Sequence, residues 1–180
     1  MTSPTQSLQE AADTVKDAAT EEVDRYRHGE DRPLGGYAVL VSIYSTVLLA
    51  LGALVRRRGG LPERIPTPDV ALLAVGTHKL SRLITKDSVT AVARAPFTSF
   101  EGAAGEGEVQ EEARGQGVRH AAGELLTCPF CMAVWVATVL AFGLVLAPRA
   151  TRLVAATLTA VAGSDFLQLA YATAQKASKS

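Results

Sequence analysis

Two cysteines, a single tryptophan and no net charge are what this 180-residue chain has to work with. Two cysteines exclude a disulfide framework. Lys plus Arg equals Asp plus Glu at 18 each, so no basic surplus points to nucleic acid. Aromatic RNA-binding motifs and zinc-finger Cys/His spacing are also missing, so no nucleic-acid partner is expected. The first 32 residues lack an apolar centre and do not read as a signal peptide. Between residues 99 and 123 there is no phosphate-loop signature, and the glutamates follow no calcium-loop spacing.

What the chain does have is long apolar blocks separated by charged segments. Leu34 to Val55 contains no charge and ends in Arg56, Arg57 and Arg58. Pro129 to Ala147 is uncharged too, and Leu153 to Tyr171 carries only Asp165 and Gln168 among apolar and small residues. A bilayer core about 30 Å thick needs roughly 20 such residues in a helix. A soluble bundle would put a polar face on each helix, and the first and second of these blocks have none. The expectation is an integral membrane protein whose partner is the lipid bilayer.

A further block, Val70 to Ile84, begins apolar and then acquires His78, Lys79 and Arg82. It either spans with its polar half facing the bundle or lies in the interface. Asp69, after Pro66 and Pro68, suits its N-cap. The fold class is therefore all-α: a membrane bundle of four transmembrane helices, or three if this block does not cross. The expected helices cover about 34–55, 69–85, 129–147 and 151–172. They form a membrane domain over 34–175, between an arm at 1–33 and a tail at 176–180.

Lys and Arg set the orientation. Arg25, Arg27, Arg32, Lys86, Arg94, Arg114, Arg119, Lys176 and Lys179 outnumber Arg56 to Arg58, Arg64, Arg149 and Arg152. Both termini and the loop 86–128 are thus expected in the cytoplasm of a multi-pass cell-membrane protein. The loop between 99 and 123 is expected to be irregular and its glutamates solvated. In the arm, Ser7 with Glu10 fits a capping box, and Leu8, Ala12, Val15, Ala19 and Tyr26 give a thin amphipathic stripe. Gly29 would end that helix.

The runs "THKLSRLITKDSVTAVARAPFT", "FEG", "GEVQEEARG" and "GELLTCPFC" with Trp135 resemble a bacterial membrane family, catalogued as domain of unknown function 1360. The resemblance covers roughly Asp69 to Ala147. It implies a small membrane-embedded protein and carries no activity. Lys86, Asp87, Arg94 and Glu124 are the charged loop positions within these motifs. The charged arm before Leu34 departs from the family pattern.

Cys128 and Cys131, as "CPFC", are the candidate catalytic pair. Pro129 suits the first turn of a helix capped by Thr127 or Cys128, where a thiol meets unpaired N–H groups. Three readings stay open: structural thiols, redox chemistry, or a metal site completed by His78 and His120. No cofactor is expected, and the reading leans away from an enzyme. Asp165, inside an apolar helix, needs a partner or a role. Its depth matches His78 and Lys79, so His78 or Arg82, with Lys79, is expected to contact it. Three functions follow: an interaction or scaffold protein with a protein partner at the cytoplasmic loop, a thiol oxidoreductase, or a small-solute or proton pathway near His78 and Asp165.

Overall fold

In a computed structural model of the chain, residues 4–28 and 32–178 are described, excepting the side chains of 4, 5, 7 and 27. The expected Ser7 capping box and the helix end at Gly29 rest on residues outside that set. The helix α1 (Pro4–Arg27) is followed by α2 (Leu34–Arg57), α3 (Thr67–Thr85) and the single turn α4 (Ala91–Arg94). Then come β1 (Thr98–Gly105), β2 (Glu108–Ala113), α5 (Gly117–Thr127), α6 (Pro129–Leu146) and α7 (Pro148–Ala177). Among the described residues, three helices, α2, α6 and α7, are long and apolar enough by length and composition to cross a membrane. In α3, Asp69, His78, Lys79 and Arg82 interrupt the apolar sequence. On α1 the stripe residues Leu8, Val15 and Tyr26 are exposed.

The chain is mostly helical as expected, but the loop expected to be irregular is ordered as two strands, which adds a small sheet to the all-α reading. β1 and β2 form an antiparallel hairpin in which Thr98 faces Ala113 and Gly105 faces Glu108. Glu106 and Gly107 make the turn, with Gly107 at φ +74°, a conformation that tight hairpin turns favour and side chains resist. Two strands alone are marginally stable in water. Here they are tied down along the edge of β2: Val109 N–H donates to the Lys86 carbonyl at 2.9 Å, and Ser88 N–H donates to that of Gly107 at 3.0 Å. The helix α5 then lies across the hairpin. It comes so close that a Cβ on Gly123 would stand 2.5 Å from the Phe97 carbonyl oxygen. Glycine is needed there for space.

The apolar helices pack by shape. Met132, Val136 and Leu140, four residues apart on α6, are buried against Leu73, Leu80 and Ile84 of α3. Helices that lie in lipid have no water to expel, and their association depends on close contact and buried polar pairs. Small residues supply that contact: a Cβ on Gly76 of α3 would lie 3.5 Å from the Ala155 Cα of α7. At the other side of the bundle, a Cβ on Gly36 of α2 would lie 2.6 Å from the Gly117 carbonyl oxygen of α5. The ring of Tyr44 meets that of Trp135 edge-on at 5.1 Å, and its hydroxyl lies 2.8 Å from that of Thr138, joining α2 to α6.

These contacts fix directions. Asp69 meets Arg152, Gly76 meets Ala155 and Lys79 meets Asp165, so α3 and α7 run parallel. Tyr37 meets Glu124 near the end of α5 and Tyr44 meets Thr138 farther along in α6, so α2 runs in the same sense as the chain passing from α5 into α6. Ala147 alone separates α6 from α7, so these two turn back on one another.

Candidate functional site: a charged cleft under the hairpin

Where α3 and α7 meet the hairpin they leave a cleft of about 750 Å³. Its walls include His78, Lys79 and Arg82 from α3, Asp165 and Phe166 from α7, and Glu108 at the start of β2. Residues 78, 79 and 82 fall within about one helical turn, so α3 brings an imidazole and two cationic side chains to one region. Lys79 Nζ donates to Asp165 Oδ2 at 2.6 Å, with the two side chains 18% and 45% exposed. A half-hydrated pair of this kind tolerates apolar surroundings because each charge has a partner.

Of the partners expected for Asp165, Lys79 makes the contact. His78 lines the same cleft, while Arg82 turns to the hairpin. Its Nε and Nη2 donate to the two carboxylate oxygens of Glu108 at 3.0 and 2.5 Å. Such a two-pronged bond fixes orientation as well as charge. Asp69 also departs from its expected role. Pro66 occupies the N-cap of α3 without a side-chain cap bond, and Asp69 accepts from Arg152 Nε and Nη2 at 2.8 and 2.7 Å.

Beside the cleft, Arg94 is buried and its donors are occupied. Nε donates to Glu111; Nη1 donates to the Ile84 carbonyl and to Thr90 Oγ1, both at 2.7 Å; Nη2 donates to the Asp87 carbonyl at 2.9 Å. Ile84 belongs to the last turn of α3, where carbonyls lack helical partners and favour a cation. One guanidinium thereby caps α3 and clamps β2 onto it. Asp87 takes part through its backbone, while its carboxylate accepts from Val89 N–H at 2.8 Å. Lys86 contributes its carbonyl to Val109.

Glu108 and Glu111 were expected to be solvated, and this is a correction: each is the partner of an arginine. The available signal was Arg82 and Arg94 themselves, cations placed next to apolar sequence that require anions. Strand alternation in "EVQEEA" is the second clue, since Glu111 is buried and Glu112 is exposed.

A second group of polar side chains gathers at the start of α6. Cys128 is its N-cap, and Cys131 N–H donates to Cys128 Sγ at 3.2 Å. Both thiols are free; Cys128 is half-buried and Cys131 exposed. Glu124, one turn earlier on α5, accepts from the Tyr37 hydroxyl at 2.5 Å and lies 3.8 Å from His120 Nε2. Tyr37 was not anticipated. The four-ligand site from Cys128, Cys131, His78 and His120 is not assembled. His78 stands in the cleft and His120 beside Glu124, and among the described residues no three His, Cys, Asp or Glu side chains are grouped to hold a metal.

No curated protein and no solved structure matches the chain. Residues 72–171 match the family described as protein of unknown function, DUF1360. That stretch is more than half of the 180 residues and takes in the hairpin, both cysteines and the α3 and α7 walls of the cleft, so the chain belongs to this family.

Proposed function

We propose that this is a multi-pass cell-membrane protein of four membrane helices, with α3 as the fourth, and that it binds a small polar solute in the cleft. The support for α3 is directional. Its first turn is tied to the start of α7, and its last turn to the hairpin and Arg94. Nineteen residues at 1.5 Å each cover about 28 Å, close to the thickness of a bilayer core. Each charged side chain on it that would enter lipid has a partner. The Lys and Arg asymmetry favours the cytoplasm for the hairpin, the arm 1–33 and the tail 176–180. A Gly105→Cys variant in a cysteine-free background tests this: reagent applied to intact cells should leave it unlabelled.

The observation that carries the functional reading is the cleft itself. It offers both signs of charge in two ion pairs, with apolar residues such as Phe166 beside them. That lining fits a small solute whose polar groups exchange with Lys79, Asp165, Arg82 and Glu108. Farther along the α3–α7 seam, Gly76 packs against Ala155, which fits a site entered from the hairpin side. Native mass spectrometry of the gently solubilised full chain provides the test. A small-molecule adduct should accompany the wild type and disappear when Lys79→Met and Asp165→Leu are combined. Equal occupancy in both proteins would refute the reading.

One observation favours a second function, contact with a protein partner. Val89, Val92 and Phe100, around the hairpin, are 82%, 81% and 69% exposed. Large apolar groups on a rigid surface suit a docking face. Copurification of a protein with no small molecule would favour this reading.

A further inference from the structure

The thiols at the start of α6 lie apart from the cleft and have the arrangement of an exchange site. Three features combine there. Pro129, which has no N–H to leave unpaired, fixes the first helical turn between the cysteines. Cys128 and Cys131 are separated by only two residues across the first turn of α6, and the Cys128 side chain folds back onto the Cys131 backbone, so the two sulfurs start near one another. The backbone N–H of Cys131 points at Cys128 Sγ at 3.2 Å, at the positive end of an 18-residue helix. A sulfur anion at the N-cap meets both that donor and the helix end. No third His, Asp or Glu joins the pair in a metal-sized group among the described residues, so the geometry suits bond formation between the sulfurs better than metal ligation.

We propose that Cys128 and Cys131 form a reversible intramolecular disulfide by exchange with small-molecule disulfides, Cys128 being the attacking thiolate. Cys128, having lost its proton to solvent, attacks one sulfur of the small disulfide; that S–S bond breaks and one small thiolate leaves. Cys131 then gives up its proton and attacks Cys128 Sγ, expelling the second small thiolate. The two thiolates take up the two protons. The balance is two protein thiols and one small disulfide in, one protein disulfide and two small thiols out. The exposure of Cys131 leaves room for the small molecule at the pair.

The test uses the full chain in mild detergent with mixtures of reduced and oxidised glutathione, acid quenching, alkylation and intact-mass measurement. The wild type should lose both alkylatable thiols together and two hydrogens in mass, and regain them in excess reduced glutathione. Cys131→Ser should trap a glutathione adduct on Cys128, formed at least tenfold faster than the adduct of Cys128→Ser. Should either variant fail to keep the wild-type elution volume, limiting alkylation of the wild type with peptide mapping ranks the two thiols instead, with Cys128 expected first. A wild type that keeps its adduct without forming the internal bridge would overturn the proposal. So would thiols that remain alkylatable throughout, or a Cys131 that reacts as fast as or faster than Cys128.

Discussion

The hairpin region and the long helices are held together by different physics. Between residues 86 and 127, polar groups dominate: a buried arginine with its donors occupied, a carboxylate at 6% exposure, and backbone bonds from Lys86 and Ser88 to the hairpin. Across α2, α3, α6 and α7 the contacts are small residues and apolar stripes, with ion pairs joining Lys79 to Asp165 and Arg152 to Asp69 along the α3–α7 seam. Water explains the difference. A short hairpin at the surface cannot bury enough apolar area to order itself, so it depends on satisfied charges. Helices in lipid gain little from apolar contact as such and depend on fit. The region that looks loosest by composition should therefore be the more sensitive to losing one charge.

The largest expected effect tests that contrast directly. Arg94→Met leaves Glu111 buried without its cation and uncaps the end of α3. A loss of about 3–5 kcal/mol is expected, as for other broken buried pairs. Thermal unfolding in detergent would measure it, together with protease cutting between 98 and 113. Arg94→Lys should recover little, because one ammonium cannot reproduce a fork that reaches Glu111, Ile84, Thr90 and Asp87 at once. A melting point within a degree or two of wild type for Arg94→Met would erase the contrast.

Next comes Gly123→Ala, a change with no charge in it. The added methyl would collide with backbone at Phe97, which cannot move without shifting the hairpin. Overpacking of this kind costs about 1–3 kcal/mol. Hydrogen exchange should rise in the strands and α5 while the α3–α7 seam stays protected. Exchange rising equally in both regions would mean that they are one cooperative unit.

At the α3–α7 seam, Lys79→Met strands Asp165, whose side chain is 45% exposed. Partial hydration reduces the penalty to about 1–2 kcal/mol, below that of a fully buried pair. Adding Asp165→Leu should restore stability to near wild type, because two apolar groups replace two charges together. That non-additivity is the mark of a direct pair. Two independent losses that sum would show that the contact contributes nothing.

Sequence legibility follows the same division. The apolar runs of α2, α6 and α7 could be read because a bilayer demands length and absence of charge, and both are written in the residues themselves. That Asp165 needs a partner from α3 was legible for a related reason, since a charge at depth restricts its partners to those at equal depth. Which one was not, because Lys79 makes the bond while Arg82, named ahead of it with His78, turns to Glu108. The hairpin was not read, since "FEGAAGEGEVQEEA" is rich in Gly and Glu, and its order comes from Arg82 and Arg94, which lie 26 and 17 residues before their partners Glu108 and Glu111. Strand propensity is weak there, and tertiary charge pairing overrides it. Asp69 was misassigned because local capping and a distant arginine compete for one carboxylate, and only the parallel packing of α3 and α7 brings Arg152 to it.

The smallest expected effect lies where the two regions join. Tyr37 sits at the start of α2, in the membrane half by sequence, yet its hydroxyl bonds Glu124 of α5. Tyr37→Phe removes one hydrogen bond and leaves the ring, so packing against α5 is retained. A net loss of about 1 kcal/mol is typical of such a deletion. Glu124 keeps some hydration and its neighbour His120, which limits the penalty of losing the hydroxyl. If the regions are as separable as their physics suggests, the loss should appear as looser contact between α2 and α5. Faster hydrogen exchange confined to α5 and the start of α2 would report that, while the melting of the α3–α7 seam stays unchanged. Destabilisation beyond about 3 kcal/mol would instead make this hydrogen bond a main coupling between head and membrane, and the two regions would have to be treated as one.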